Sequence, residues 1–302
     1  MTRKRIAIYL ASIGILLVVV ATWYAVAFLK PPDVRSRTFD GQRALADVET
    51  QVAFGPRIPG SSGHAQVQDW MRAELKDAGW EFRIQSTERL GHPIENIIAY
   101  RGEETPKIII GAHYDTRMVA DNDPDETKRL EPVPGANDGA SGVAVLLELA
   151  RVLPEDSIPV WLVFFDTEDN GSIEGWNWIL GSQAFVEELD FRPEAVVIVD
   201  MIGDADQNIY IERNSNPALV NEIWGIAAKL GYQESFISTA KYSMLDDHTP
   251  FLQAGIPAVD IIDFDYPYWH TTEDTVDKIS AESLEIVGRT LQGWIAQRSE
   301  SP

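Results

Sequence analysis

Acidic and histidine side chains recur in five short segments of the chain, and their types are those that bind zinc. The residues are His113, Asp115, Asp138, Glu168, Asp169, Asp200 and His270. Histidine nitrogens and carboxylate oxygens hold zinc in catalytic sites, where one coordination position stays open. A carboxylate beside such a metal can act as a general base. The set therefore predicts a metal-dependent enzyme.

Each of the first candidates has a structural role that competes with metal binding. His113 and Asp115 form an H-x-D pair, and residues i and i+2 of an extended segment point the same way. The imidazole can bind a metal while the carboxylate orients its other ring nitrogen. A hydrogen-bonded core histidine is the alternative. Asp138 lies in a glycine-rich turn before a predicted helix, where a helix N-cap is the competing role.

The next candidates follow apolar runs. Glu168 and Asp169 are adjacent, so one can face a metal while the other moves protons, although a solvated acidic loop has the same composition. Asp200 follows four apolar residues and needs a partner, because burying a lone carboxylate is costly. Asp246 precedes another acidic residue and a histidine, in a segment that equally suits a turn. Trp269 can line a pocket or pack in the core.

The elements that must position these residues alternate between strands and helices. Strands are predicted at 97–100, 108–112, 160–165, 196–199 and 258–262. Helices are predicted at about 39–54, 64–78, 142–153, 178–188, 217–230 and 281–298. This alternation predicts a single-domain α/β fold, a three-layer sandwich with a mostly parallel central sheet and helices on both faces.

The candidate residues cluster where such a sheet binds its ligands. Ligands occupy the carboxyl ends of parallel strands, and His113, Glu168 and Asp200 each follow a predicted strand there. The polar residues 119–132 are interpreted as a flap over this edge. Two tryptophans within residues 170–178 are expected near its entrance.

The N-terminus predicts membrane attachment. Residues 6–29 are apolar and uncharged, long enough for a helix across ~30 Å of hydrocarbon. The basic residues within 1–5 should stay cytoplasmic, so residues 30–38 form a linker and residues 39–302 an extracytoplasmic catalytic domain at the cell membrane. A cleaved signal peptide ending near Ala27 is the alternative. A core helix is disfavoured because the segment lacks a polar face.

The bulk composition limits the kinds of molecule that the protein is expected to bind. The 302 residues are 45% hydrophobic and 24% charged, as expected of a globular protein. The net charge of −22 argues against nucleic acid, which requires a basic surface. It fits a solvated acidic surface or a preference for cationic substrates such as free amino termini. Cysteine is absent, which excludes disulfides and thiolate zinc ligands.

Taken in order, seven segments resemble a known family. They are GPRIPGS at 55–61, GAHYDT at 111–116, GANDGASGVAVLLELAR at 135–151, FFDTED at 164–169, DMIGD at 200–204, DDHTPFLQAGIPA at 246–258 and WHTTEDTVDKI at 269–279. From about Phe39 onward the chain resembles the zinc-dependent aminopeptidases related to bacterial leucyl aminopeptidase, and the related glutaminyl-peptide cyclotransferases.

The aminopeptidase resemblance implies two zinc ions that share Asp138. One ion would also take His113 and Asp200, and the other would take Asp169 and His270. In this pattern metal-activated water attacks the peptide bond.

The cyclase resemblance implies a single zinc ion held by Asp138, Asp169 and His270. Asp200 and Asp246 would then belong to a supporting acidic network. In this pattern the substrate's own α-amine is the nucleophile.

Other positions carry roles under both patterns or distinguish them. Glu168 matches the proton carrier in both, and Asp115 matches the carboxylate behind the first histidine. The residue types at Asp246 and Trp269 resemble those of the cyclases. Trp269 would line the pocket for the glutamine side chain. Position 169 departs from both patterns, since Glu is frequent there; the shorter Asp is expected to shift the metal or alter its coordination.

The N-terminal segment and the resemblance together imply a membrane-anchored zinc enzyme, with one or two ions, acting on peptide or protein N-termini. Glutaminyl cyclisation to pyroglutamate with release of ammonia is favoured. Hydrolysis by a di-zinc aminopeptidase is the alternative, and a non-catalytic binding ectodomain is a third. The sequence predicts no oligomeric state.

Overall fold

The computed structural model describes residues 38–102 and 105–300. The predicted cytoplasmic tail, the apolar segment 6–29 and all but the end of the linker lie outside these ranges. Within them, no helix combines the length and the apolar character needed to cross a bilayer.

The described residues form a single α/β domain around a mixed six-stranded sheet of order β1-β2-β4-β3-β5-β8. Its strands are β1 (Glu81–Arg89), β2 (His92–Tyr100), β3 (Ile108–His113), β4 (Val160–Phe165), β5 (Ala195–Asp200) and β8 (Ala258–Ile262). The pairs β4-β3, β3-β5 and β5-β8 are parallel, whereas β1-β2 and β2-β4 are antiparallel. Two short strands, β6 (Ile209–Ile211) and β7 (Phe236–Ala240), form a separate parallel pair.

Seven α-helices surround the sheet within the described ranges. They are α1 (Gly41–Ala53), α2 (Ser62–Asp77), α3 (Ala140–Val152), α4 (Leu180–Glu187), α5 (Pro217–Leu230), α6 (Thr249–Gln253) and α7 (Ala281–Glu300). Alternate residues of β3 separate the two faces: Ile108 and Ile110 pack in the core with α1, α2, α3, α5 and α7. Ile109 packs in a second core with α4 and α6. The predicted helix–sheet–helix layering is therefore confirmed.

The predicted parallel arrangement holds for the four strands β4, β3, β5 and β8, and the two antiparallel strands complete one side. The sequence prediction missed β1, because its residues alternate between exposed and half-buried with one fully buried position, and no apolar run marks it. It also missed the short elements β6, β7 and α6. Since β3, β4, β5 and β8 run in the same direction, their carboxyl ends meet at one edge.

Charged side chains join α1, α2 and α3 behind the sheet. Arg151 contacts Asp47 at 2.5 Å, Glu74 at 2.8 Å and Glu148 at 3.4 Å. Glu148 also accepts hydrogen bonds from Arg43, and its side chain is fully buried. This network joins three of the five helices that pack on this face of the sheet.

Candidate active site

Three predicted residues converge at the ends of β3 and β5. Nε2 of His113 lies 3.1 Å from Asp138 Oδ1 and 3.2 Å from Asp200 Oδ1. One ligand atom from each of the three lies within 4.8 Å of the others, and all three residues are buried. These atoms could hold a metal ion.

A second group shares Asp138. Nε2 of His270 lies 2.9 Å from Asp169 Oδ1 and 3.8 Å from Asp138 Oδ2. The ligand atoms of Asp138, Asp169 and His270 also lie within 4.8 Å of one another. The shorter side chain at position 169 therefore still reaches its histidine. Asp138 directs one carboxylate oxygen toward each histidine, the arrangement that a bridging ligand requires.

The turn directly before α3 leaves the carboxylate of Asp138 free for this role. Gly139, not Asp138, occupies the N-cap of α3, and it adopts a left-handed φ of 70°. A Cβ at Gly139 would lie 2.8 Å from His113 Cε1. Glycine is therefore required for the turn to pass this close to the histidine.

Asp115 connects the two strand ends. Its carboxylate accepts hydrogen bonds from the backbone N–H of Glu168 at 2.9 Å and of Asp169 at 3.3 Å. Its Oδ1 also lies 3.5 Å from His113 Nδ1. The predicted orienting carboxylate thus contacts both the histidine and the segment that carries the adjacent acids.

Burial and mutual repulsion raise the pKa values of several acidic groups in the site. Burial raises the pKa of Asp169 to about 6 and that of Asp200 to about 7, although His270 and His113 respectively oppose the shift. Burial, reinforced by the charge of Asp169, also raises the pKa of Glu168 well above its usual value. Clustered pKa shifts of this kind are typical of functional sites.

The neighbouring carboxylates set the direction in which the pKa of each histidine shifts. Burial alone would lower the pKa of His270, but contacts with Asp169 and Asp121 outweigh it and raise the pKa to about 9. Contacts with three carboxylates likewise raise the pKa of His113 well above its usual value. A metal cation would satisfy the same carboxylates in place of the protons.

Backbone strain concentrates at the same place. Thr167, Met201 and His270 have φ angles of 59°, 46° and 57°, in the left-handed region that non-glycine residues seldom occupy. Thr167 precedes Glu168, and Met201 follows Asp200. Such strain persists only where the surrounding structure enforces it, and it commonly marks functional sites.

A cleft of about 210 Å³ opens above the acidic cluster. Its lining combines carboxylates with apolar side chains: Asp138, Glu168, Asp169, Asp200 and Asp246 with Trp178, Met201, Met244, Leu245, Ile262, Phe264 and Trp269. The predicted residues Asp246 and Trp269 therefore share the cleft with Glu168. The volume suits one small side chain rather than an extended ligand.

Trp178 is one of the two tryptophans expected at the entrance. It stacks on His270 with ring centroids 5.9 Å apart, and the Arg117 guanidinium lies 4.9 Å from the indole. A Cβ at Gly171 would lie 2.1 Å from the indole, so glycine allows this close approach. Trp176 instead packs against Ile94 and Leu180, away from the cleft.

The loop 119–132 lies beside His270. Asp121 Oδ1 is 3.5 Å from His270 Nδ1, and the backbone N–H of Asn122 donates to the His270 carbonyl at 3.2 Å. Asp123 accepts hydrogen bonds from Thr272. These bonds attach the predicted flap to the segment that carries the histidine.

Sequence reasoning missed other residues that support the site. Arg57 is fully buried and donates to the carbonyls of Tyr114, Pro134 and Gly135. Asp274 accepts the backbone N–H of Asp138 at 3.2 Å. Both lie in segments that carry the family resemblance, but nothing in the sequence alone predicts buried charged side chains there.

Comparison with known proteins identifies the family. The model of peptidase family M28 matches residues 96–295. The chain belongs to peptidase family M28. This M28 chain is also similar to solved structures of both predicted types, which confirms the resemblance and an enzyme of cyclase or aminopeptidase type.

Three of these structures have similar folds throughout. The glutaminyl cyclase of Porphyromonas gingivalis is 35% identical, with a TM-score of 0.82 over 87% of this chain and 100% of that one. A leucine aminopeptidase precursor from Bacteroides thetaiotaomicron is 32% identical, with a TM-score of 0.81 over 86% and 97%. A Zn-dependent exopeptidase from Parabacteroides distasonis is 31% identical, with a TM-score of 0.79 over 85% and 97%.

Proposed function

We propose that this M28 member is a zinc enzyme that cyclises N-terminal glutamine to pyroglutamate. The observation that carries the proposal is the cleft in which Asp246 and Trp269 lie beside Glu168. A small, partly aromatic cleft lined by carboxylates suits a single amino-terminal residue with its cationic α-amine. The similarity to a glutaminyl cyclase over nearly all of the described chain supports the same choice.

The donor set fits zinc. We assign Asp138, Asp169 and His270 as its ligands, since imidazole nitrogen and carboxylate oxygens are the atoms zinc takes in catalytic sites. Asp169 Oδ2 is buried and makes no hydrogen bond within the described residues, as expected of a ligand atom. When bound, zinc would act as a Lewis acid on the substrate's side-chain carbonyl.

Glu168 moves the proton in this mechanism. The α-amino nitrogen, once its ammonium form has lost a proton, forms a bond to the side-chain amide carbon. The bond from that carbon to the amide nitrogen breaks, which releases ammonia. Glu168 accepts the proton that the amine loses and returns it to the departing nitrogen. Its raised pKa allows it to hold the proton between the two transfers.

The remaining cleft residues bind and orient the substrate. Trp269 and Trp178 bound the space for the side chain and keep water from it, which favours attack by the substrate's own amine. Asp200 and Asp246 supply negative charge that attracts the cationic α-amine. Asp115 fixes Glu168 and Asp169 through their backbone N–H groups.

A di-zinc aminopeptidase is the second candidate, and one observation favours it. The two oxygens of Asp138 face His113 and His270 separately, as a carboxylate shared by two ions would. His113 and Asp200 would then be ligands of the second ion. Glu168 would remain the base, acting on water rather than on the substrate's amine.

We also propose that residues 6–29 anchor the enzyme in the cell membrane with its catalytic domain outside the cytoplasm. The uncharged length of this segment and the basic residues before it support the assignment. The substrates would then be the N-termini of extracytoplasmic peptides or proteins.

Mass analysis of the products tests the proposed function. The zinc-loaded full-length protein is incubated with two peptides that differ only in beginning with Gln or Leu. Loss of ammonia from the first and an intact second peptide is the expected result. Release of free leucine as the main product would support the aminopeptidase and contradict the cyclase.

A further inference from the structure

A buried charged cluster lies behind one wall of the cleft. The wall segment is residues 244–246, all of which line the cleft. The cluster consists of Glu212, His248 and Asp260, each at most 1% exposed. None of the three contributes to the mechanism above. Burying ionisable groups away from solvent costs free energy unless they are paired, so their presence here requires an explanation.

Glu212 contacts the first residue of the wall segment and a histidine that follows the segment. Its Oε1 accepts the backbone N–H of Met244 at 3.0 Å, and its Oε2 lies 3.4 Å from Nε2 of His248. The Glu212 carboxylate is itself fixed by the backbone N–H groups of Asn214 at 2.9 Å and Ser215 at 2.7 Å. One carboxylate thus accepts a hydrogen bond from the first residue of the segment and contacts the histidine that follows the segment.

Asp260 flanks the other side of the histidine ring. Its Oδ2 lies 3.6 Å from Nδ1 of His248, and its backbone N–H donates to Ser215 Oγ at 3.0 Å. Asp260 belongs to strand β8, so the ring lies between a carboxylate of the sheet and Glu212.

The cluster reaches the cleft through Asp246. Ligand atoms of Asp246, His248 and Asp260 all lie within 4.8 Å of one another. Asp246 Oδ2 is buried and makes no hydrogen bond within the described residues, while its Oδ1 accepts the backbone N–H of Asp247. The Asp246 carboxylate therefore lies between the cleft and the cluster.

We infer that Glu212, His248 and Asp260 are positioning residues that fix the wall segment and aim Asp246 into the cleft. This inference rests on the proposed function, in which Asp246 acts beside Glu168. A metal ion at Asp246, His248 and Asp260 is the competing explanation. The metal content of a His248 variant distinguishes the two explanations.

A double-mutant cycle on turnover tests the inference in the full-length, zinc-loaded protein. His248→Gln should lower kcat by ~10- to 100-fold with a smaller change in KM and unchanged zinc content. Glu212→Gln, which keeps an acceptor for the Met244 N–H, should lose less activity than Glu212→Leu. If His248 acts through Asp246, adding His248→Gln to Asp246→Asn should cause no further loss. Arg151→Met, in the remote helix network, is the control that lowers stability without lowering kcat.

Two results would overturn the inference. One is a His248→Gln effect of the same size with and without Asp246→Asn, which would indicate a general structural role. The other is loss of one metal equivalent from His248→Gln, which would indicate a metal site in the cluster.

A readout without turnover separates this inference from the proposed function. If the wild type acts on neither peptide, the proposed function fails, and amide hydrogen exchange then decides the positioning role. Exchange within residues 244–249 should accelerate in His248→Gln while exchange in β3 and β5 stays unchanged. Unchanged protection of residues 244–249 would overturn the inference.

Discussion

Glu168 occupies a position that serves proton transfer better than metal binding. Its neighbour Asp169 contacts His270, whereas Glu168 belongs to none of the three groups of candidate metal ligands among the described residues and lines the cleft. The division of labour between the two adjacent acids, predicted from sequence as one possibility, remains a proposal with a direct mutational test.

Replacing Glu168 with Gln should keep the metal and remove most activity. The amide preserves shape and hydrogen bonding but cannot accept the proton, so kcat should fall by ~100- to 10,000-fold. Turnover and bound zinc are measured on the same sample. Glu174→Gln, an exposed acid in the nearby loop, is the matched control. Substantial turnover by Glu168→Gln would contradict the assigned role.

Gly171 should be intolerant of a side chain because Trp178 packs against it. Gly171→Ala must displace the indole, since the new Cβ would lie 2.1 Å from the ring. Displacement by about 1 Å can reduce catalytic efficiency by ~100-fold. Gly225→Ala is the control, because nothing lies within 4 Å of the position that its new methyl group would take. Equal kcat/KM values for the two variants would contradict a role for Trp178.

At the scale of elements, the helix network behind the sheet should matter for stability and not for chemistry. Arg151→Met removes the cation that pairs with Asp47, whereas Glu148 keeps its hydrogen bonds from Arg43. Losing one partner of a buried ion pair costs about 3–5 kcal/mol. Arg72→Met breaks an exposed pair with Asp69, for which less than about 1 kcal/mol is expected. Denaturant unfolding of both variants checks this; equal stabilities would refute it.

The sequence predicted the site best where elements follow simple rules. His113, Glu168 and Asp200 were expected together because parallel strands end at one edge, and the structure brings their segments together there. Arg57 could not be found in this way, since an arginine buried against carbonyl groups has the same sequence signature as an exposed one. Glu212 was also missed, because it follows a strand of only three residues, too short to be recognised from the sequence.

The membrane-spanning segment predicted at residues 6–29 lies outside the described residues. Its test therefore belongs to the whole molecule. The full-length chain should sediment with membranes and resist carbonate extraction, whereas a variant without residues 1–29 should not. Recovery of the full-length chain in the soluble fraction with a new N-terminus near Ala27 would instead support a cleaved signal peptide.

The whole domain should also respond to pH through its acidic site. The pKa values of Asp169, about 6, and Asp200, about 7, lie above the ~4 of an unfolded aspartate. The metal-free fold therefore binds these protons more tightly than the unfolded chain does. This stabilisation is fully present below pH ~4 and is lost as the pH rises toward ~7.

Zinc should replace the stabilisation that these protons provide. The increase in Tm on adding zinc to metal-free protein should be larger at about pH 8 than at about pH 5, because protons compete for the ligands at low pH. Thermal unfolding with zinc or with chelator at both pH values checks this. A larger increase at the lower pH would contradict the assignment of Asp169 as a zinc ligand.

The most direct test of the proposed enzyme is product formation as zinc is titrated into metal-free, full-length protein. With a Gln-initiated peptide, ammonia release should rise with zinc and reach its plateau at one ion per chain, with the pyroglutamyl peptide as product. No ammonia release at any zinc level, with leucine released from a Leu-initiated peptide only as a second ion binds, would contradict the cyclase assignment.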